Sequence, residues 1–177
     1  MKKTFFSLAL AGALAVSAFA AVSSGLKPGA PLPAFQVVDV NGPNKGQQLC
    51  YRCQYGIAPV AAAFIKSDAP DAAEVVMGVQ KLVDSNKAKG LKSFIVFMGG
   101  PELKGKLEKM ASAHKVSVPL TFLPQGPSAD DIKSYEINPE ANSTVLLWTG
   151  GKVKANFANP TRAQWDDISK AAAKMLQ

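Results

Sequence analysis

Val60-Ala61-Ala62-Ala63-Phe64-Ile65 is an unbroken apolar run, and Phe94-Ile95-Val96-Phe97-Met98 is a second. Runs this short, without the alternation of a half-exposed strand, predict strands buried on both faces. Between them Val75, Val76, Val79, Leu82 and Val83 fall at helical spacing. Ser67-Asp68 offers that helix a cap and Pro70 suits its first turn, while Lys87, Lys89 and Gly90 supply a cationic last turn and a stop.

Working outward, Leu103, Leu107, Met110 and His114 form one stripe of another helix. Residues 118–123 read as a third buried strand and 128–135 as a short helix capped by Ser128. Residues 144–148 and 153–157, joined across Gly150-Gly151, predict a hairpin. Thr161 with Gln164 forms a capping box for a last helix with the face Trp165, Ile168, Ala172, Met175. Upstream, residues 35–40 look like a short strand closed by the turn signal Asn41-Gly42. Residues 47–56 are polar and irregular, with no evident helix start. Residues 21–34, rich in Gly, Pro and Ser, read as an extended lead-in. Strands alternating with helices imply an α/β domain over residues 35–177: a parallel sheet covered by helices on both faces and closed by an antiparallel pair.

The chain has 177 residues, 47% hydrophobic and 19% charged, which excludes a disordered protein; the absence of repeats excludes collagen and coiled coil. Met1-Lys2-Lys3 is a cationic head, residues 5–16 an apolar run too short to span a bilayer comfortably, and Ala18-Phe19-Ala20 a small-x-small cleavage site. Residues 1–20 therefore read as a secretory signal, and the protein as secreted or periplasmic. The formal charge of +7 falls to +5 without Lys2 and Lys3. The remaining lysines are scattered and no arginine-rich stripe interleaves with aromatics, so nucleic acid is disfavoured. Weak attraction to acidic lipid heads or envelope polymers is compatible with this charge. No second apolar stretch reaches transmembrane length.

Several segments resemble the thioredoxin-like fold, and within it the redoxin and peroxiredoxin branch with the extracytoplasmic thioredoxin-like reductases. Residues 26–35, Leu-Lys-Pro-Gly-Ala-Pro-Leu-Pro-Ala-Phe, resemble that family's entry to its first strand. Val118-Pro119-Leu120 with Ile132-Lys133-Ser134-Tyr135-Glu136-Ile137 resembles a second family segment. Thr144-Val145-Leu146-Leu147-Trp148 with Gly151-Lys152-Val153 resembles its hairpin. The resemblance covers nearly all of the chain after residue 20 and implies a three-layer fold, a central mixed sheet with helices on both faces.

It also implies where a redox centre would lie. Redox-active members carry the nucleophilic cysteine after the first central strand, at the start of the next helix, where the helix end favours the thiolate. Here Ser67-Asp68-Ala69-Pro70-Asp71-Ala72 occupies that place, with no cysteine. The position of the family's cis-proline is best matched by Asn142. The resemblance thus implies a vacated thiol site and argues against peroxidase activity.

The two cysteines instead stand in Cys50-Tyr51-Arg52-Cys53, before the central strand. A six-residue strand spans about 20 Å, so the motif is expected at the opposite pole of the sheet. Three readings compete. A structural disulfide fits an oxidising compartment, and two intervening residues permit closure. A redox-active dithiol fits the spacing, which lets one thiol resolve a mixed disulfide with a protein thiol partner. In that reading Cys50 is the nucleophile and Cys53 the resolver, by analogy of order. Arg52 would lower a thiol pKa, and Tyr51 and Tyr55 would offer flat surface to a substrate peptide. A copper(I) site would use both thiolates with His114, the one histidine, expected at the cysteine pole. The simpler account of His114 is a helix carboxyl end that favours its charge.

No cofactor motif stands out. Gln54 replaces the histidine of a c-type haem site, and Gly99-Gly100-Pro101 lacks the ending of a phosphate loop. Asp130-Asp131 and Asp166-Asp167 suit helix amino ends.

Overall fold

The computed structural model describes residues 22–128 and 130–177. The signal-like residues 1–20 lie outside them. The strands are β1 (Val37–Asp39), β2 (Gln48–Leu49), β3 (Val60–Lys66), β4 (Lys92–Met98), β5 (Leu120–Phe122), β6 (Ser143–Thr149) and β7 (Lys152–Ala158). The helices are α1 (Tyr51–Tyr55), α2 (Ala72–Asn86), α3 (Lys104–Ala113), α4 (Asp130–Lys133) and α5 (Trp165–Met175).

One sheet holds all seven strands in the order β2-β1-β5-β4-β3-β6-β7. β5, β4 and β3 are parallel, as the apolar runs require. β6 and β7 close one side antiparallel, in the expected hairpin. The other side differs from the expectation: β1 and β2 add a second antiparallel pair there. The two residues of β2 are too few to leave a periodic signal.

The continuous apolar reading of β3 has a simple cause. Ala61, Ala63 and Ile65 face one core, while Val60, Ala62 and Phe64 face the other, and every one of them is buried. The first core lies under α2, α3 and α5, through Val75, Val79, Leu107, Ile168 and Ala172. Gly78 lets α2 and α5 close together, because a Cβ there would stand 2.2 Å from the Trp165 ring. The second core is aromatic. Phe35, Phe64, Phe94, Tyr135 and Trp148 cluster there, with Phe35 and Tyr135 edge to face at 4.7 Å and Phe94 and Trp148 at 5.9 Å. Each such ring, fully buried, contributes about 1.5–3 kcal/mol.

The lead-in is part of this second layer. Leu26, Leu32 and Phe35 are buried in it, Pro31 bridges to Lys152, and the Asn156 amide donates to the carbonyls of Gly25 and Leu26.

Local corrections are few. α2 begins at Ala72, after Asp71, rather than at a Ser67-Asp68 cap: residues 66–71 turn instead, with the Ala69 N–H on the Lys66 carbonyl. The Thr161–Gln164 capping box is present, but it opens a 3-10 turn, Arg162–Gln164, ahead of α5. Among the described residues no helix is long and apolar enough to cross a membrane.

Candidate functional site

The site starts from a buried carboxylate. Asp39 ends β1 with 1% of its surface exposed. Its Oδ1 accepts the Gly42 N–H at 2.7 Å, and its Oδ2 accepts the Asn44 N–H at 2.8 Å and the Tyr51 hydroxyl at 2.6 Å. The Asn41-Gly42 turn is thus wrapped around Asp39. Only glycine fits at 42, because a Cβ would stand 2.7 Å from Asp39 Oδ2 and 2.8 Å from Pro119. The turn returns the chain through β2 to Cys50.

Cys50 is the amino-terminal cap of α1, contrary to the expectation of an irregular segment. The helix exists because its inward face is anchored. Tyr51 and Tyr55, one turn apart, lie on the same side. Tyr51 stacks on Phe94 at 5.2 Å, and the Tyr55 hydroxyl donates to the Ser93 carbonyl at 3.1 Å. Such short helices leave no periodicity to read, and their stability comes from packing. Burial, reinforced by the hydrogen bond to Asp39, raises the Tyr51 phenol far above its ordinary range. Burial, with the Asp39 charge adding, pushes Tyr55 up to about 12. Tyr51 is buried and so is a packing group rather than the open peptide-binding surface the sequence suggested, while Tyr55 is half-buried against the same core. Arg52, expected to lower a thiol pKa, is held by its Nε, which donates to the Leu32 carbonyl at 2.9 Å.

With residues 51, 52 and 55 committed inward, 53 and 54 face out. Cys50 and Cys53 are joined as a disulfide, with Cα atoms 5.2 Å apart. Cys50 is half-buried and Cys53 exposed. The Cys53 N–H donates to Cys50 Sγ at 3.0 Å.

The sheet register locates this motif. β3 and β4 are paired from Val60↔Lys92 to Lys66↔Met98. The anchors of α1, Ser93 and Phe94, lie near the amino end. The Gly150 N–H donates to the Ile57 carbonyl at 3.0 Å, and the β6–β7 turn lies at that same end because Trp148 pairs with Val60. The cysteines therefore sit at the amino-terminal pole of β3, as their place in the chain implied.

At the carboxyl-terminal pole the Lys66 N–H donates to the Asn142 carbonyl at 2.9 Å, and the Asn142 N–H to Asn159 Oδ1 at 2.7 Å. Lys106 reaches the Ser67 carbonyl at 2.6 Å. A cavity of about 410 Å³, lined by Phe64, Lys66, Met98, Ile137 and Pro139, opens there. No sulfur pair faces Ala69 or Asn142. His114 is exposed beyond the end of α3. Among the described residues no group of three or more His, Cys, Asp or Glu side chains gathers, so His114 does not join Cys50 and Cys53.

Solved structures share the fold that carries this site. A candidate thiol:disulfide interchange protein of the DsbE type from Chlorobium tepidum superposes with a TM-score of 0.71 at 16% identity, over 86% of this chain and 99% of that one. This is the thioredoxin-like fold. The thioredoxin domain of a thiol-disulfide oxidoreductase from Bacteroides vulgatus superposes with a TM-score of 0.68 at 19% identity, over 86% and 99% of the two chains. A peroxidoxin, BcpB, from Mycobacterium tuberculosis gives 0.65 at 13%, again over 86% and 99%. At these identities the likeness is one of fold. No family model matches the chain, and no curated protein sequence does. On the thioredoxin-like scaffold, the residues sequence reasoning missed are Asp39, Ser93 and Phe94. Of these, Asp39 left a signal, an acidic residue three before the Gly42 it hydrogen-bonds.

Proposed function

We propose that this is an extracytoplasmic protein, exported by the signal-like residues 1–20, that exchanges disulfides with a protein thiol through Cys50 and Cys53. The observation that carries this reading is the disulfide on the first turn of α1, with Cys53 open to solvent. A bond meant only to brace the chain gains little from a loop of two residues. An exposed sulfur whose partner accepts a backbone N–H has what exchange requires: access for an incoming thiolate and support for a leaving one. The thioredoxin-like fold of the neighbours, two of them thiol–disulfide proteins by description, agrees with this chemistry.

A second reading is a binding module with a structural disulfide. The anchoring of α1 by Tyr51, Tyr55 and Arg52 favours it, since a helix this firmly seated can be a fixed surface feature. The reduction potential separates the two. Exchange predicts a value between about −270 and −120 mV, and a value below about −300 mV assigns the bond to structure.

A further inference from the structure

We infer, on the basis of the exchange reading above, that the Cys50–Cys53 bond opens at Cys53, so that the mixed disulfide with a partner protein forms on Cys53 and Cys50 is the leaving and resolving sulfur. This reverses the assignment expected from the order of the motif. An incoming thiolate must approach the attacked sulfur along the S–S axis, from the side away from the leaving sulfur. Cys53 is exposed and flanked by exposed Gln54. Cys50 is half-buried between Leu49 of β2 and Tyr51, whose side chain is sealed between Phe94 and Asp39. The second observation is the hydrogen bond. Cys50 Sγ accepts the Cys53 N–H at 3.0 Å, and such a bond strengthens as charge gathers on its acceptor. The structure therefore opens one sulfur and stabilises the other.

The step balances without a further reagent. The partner's thiolate bonds to Cys53 Sγ, the Cys50–Cys53 bond breaks, and its electron pair leaves on Cys50 as a thiolate that takes a proton from water. A second thiolate of the same partner then attacks the partner's sulfur in the mixed disulfide and expels the Cys53 thiolate. The partner dithiol has lost two electrons, and the cysteine pair has gained them. Run backwards, the same steps reduce a partner disulfide.

The test uses reduced Cys50→Ser and Cys53→Ser proteins, each with one thiol, and oxidised glutathione as probe. Rates of mixed-disulfide formation are followed by mass and compared at equal thiolate fraction from a pH profile of each. The Cys50→Ser protein, which keeps Cys53, is expected to react at least about tenfold faster. Oxidised wild-type protein, treated with reduced glutathione and acid-quenched, is expected to carry its adduct on Cys53, which guards against a folding defect in either variant. Equal rates, or an adduct mapped to Cys50, overturn this assignment and leave the exchange reading standing. A bond that glutathione does not open at all overturns both.

Discussion

The two ends of β3 carry opposite arrangements. At its carboxyl end the thioredoxin-like scaffold has a cavity lined by Phe64, Met98 and Ile137 and a backbone turn free of sulfur. At its amino end there is a disulfide on a helix of only five residues. Six strand steps of about 3.3 Å, about 20 Å in all, separate them. The difference is that the cysteine pair is placed with no help from the strand end where the sequence resemblance implies a redox centre. Here the cysteines are positioned by a buried carboxylate, two tyrosines and Phe94.

Disabling each end of β3 in turn should give the largest effect. Cys53→Ser should abolish reduction of a disulfide substrate such as insulin. Ser67→Ala and Asn142→Ala, at the other end, should leave the rate within about twofold of wild type. Turnover kinetics on the three proteins decide it. A large loss from Asn142→Ala would return the chemistry to the carboxyl pole.

The next effect sharpens the account of what holds α1. Tyr51→Phe keeps the ring on Phe94 but removes a donor from buried Asp39, which retains Gly42 and Asn44. The expected loss is about 1–3 kcal/mol, the usual cost of an under-satisfied buried charged acceptor. Denaturant unfolding should show a larger loss in the reduced protein than in the oxidised one, because the disulfide otherwise pins the same turn. An equal loss in both would mean that the disulfide does not support α1.

The same contrast explains what was legible in the sequence. The central strands were, because Val60 to Ile65 must satisfy two cores and so contains no polar residue. The hairpin and the last helix were, since Gly150-Gly151 and the Thr161–Gln164 box act within a few residues. The vacated pole followed from the absence of cysteine at 67–72. The helix under the cysteines was not legible. Its stability lies in contacts 12 residues away to Asp39 and 38 residues away to Ser93, and five residues carry no period. For the same reason Tyr51 and Tyr55 read as exposed aromatics in a polar stretch, when they are the inward face of α1. The exposure order of the two sulfurs was equally hidden, because it depends on which side of that helix faces the core.

A smaller effect should be seen at high pH. The Tyr55 phenol, ordinarily titrating at 10.0, is pushed up to about 12 by burial, with Asp39 adding. Between these values the unfolded chain has released a proton that the folded one keeps. The contribution is complete below pH 10 and is lost as pH rises through 12. Unfolding titrations should therefore show stability falling across this window, and less steeply in Tyr55→Phe. Tyr51 shifts in the same direction, so part of the fall should persist. Identical slopes in both proteins would place Tyr55 in a wetter setting than its hydrogen bond to Ser93 implies.

The smallest effect tests how the open end meets a partner. Ile57, four residues beyond Cys53, is 80% exposed, while its carbonyl accepts the Gly150 N–H and the Thr149 hydroxyl. Its backbone is fixed, and its side chain is held in water without a core contact to lose. Ile57→Ser should accordingly leave stability within about 0.5 kcal/mol. A partner protein that brings a thiol to Cys53 must lay its surface against this end of the molecule, where Ile57 presents apolar area. The variant should therefore raise KM for a protein disulfide about threefold with kcat unchanged, the signature of lost uniform binding. Toward glutathione, which brings no protein surface to lay against this end of the molecule, the rate should not change. A parallel loss with both substrates would show that the isoleucine acts on the disulfide itself rather than on the docked partner.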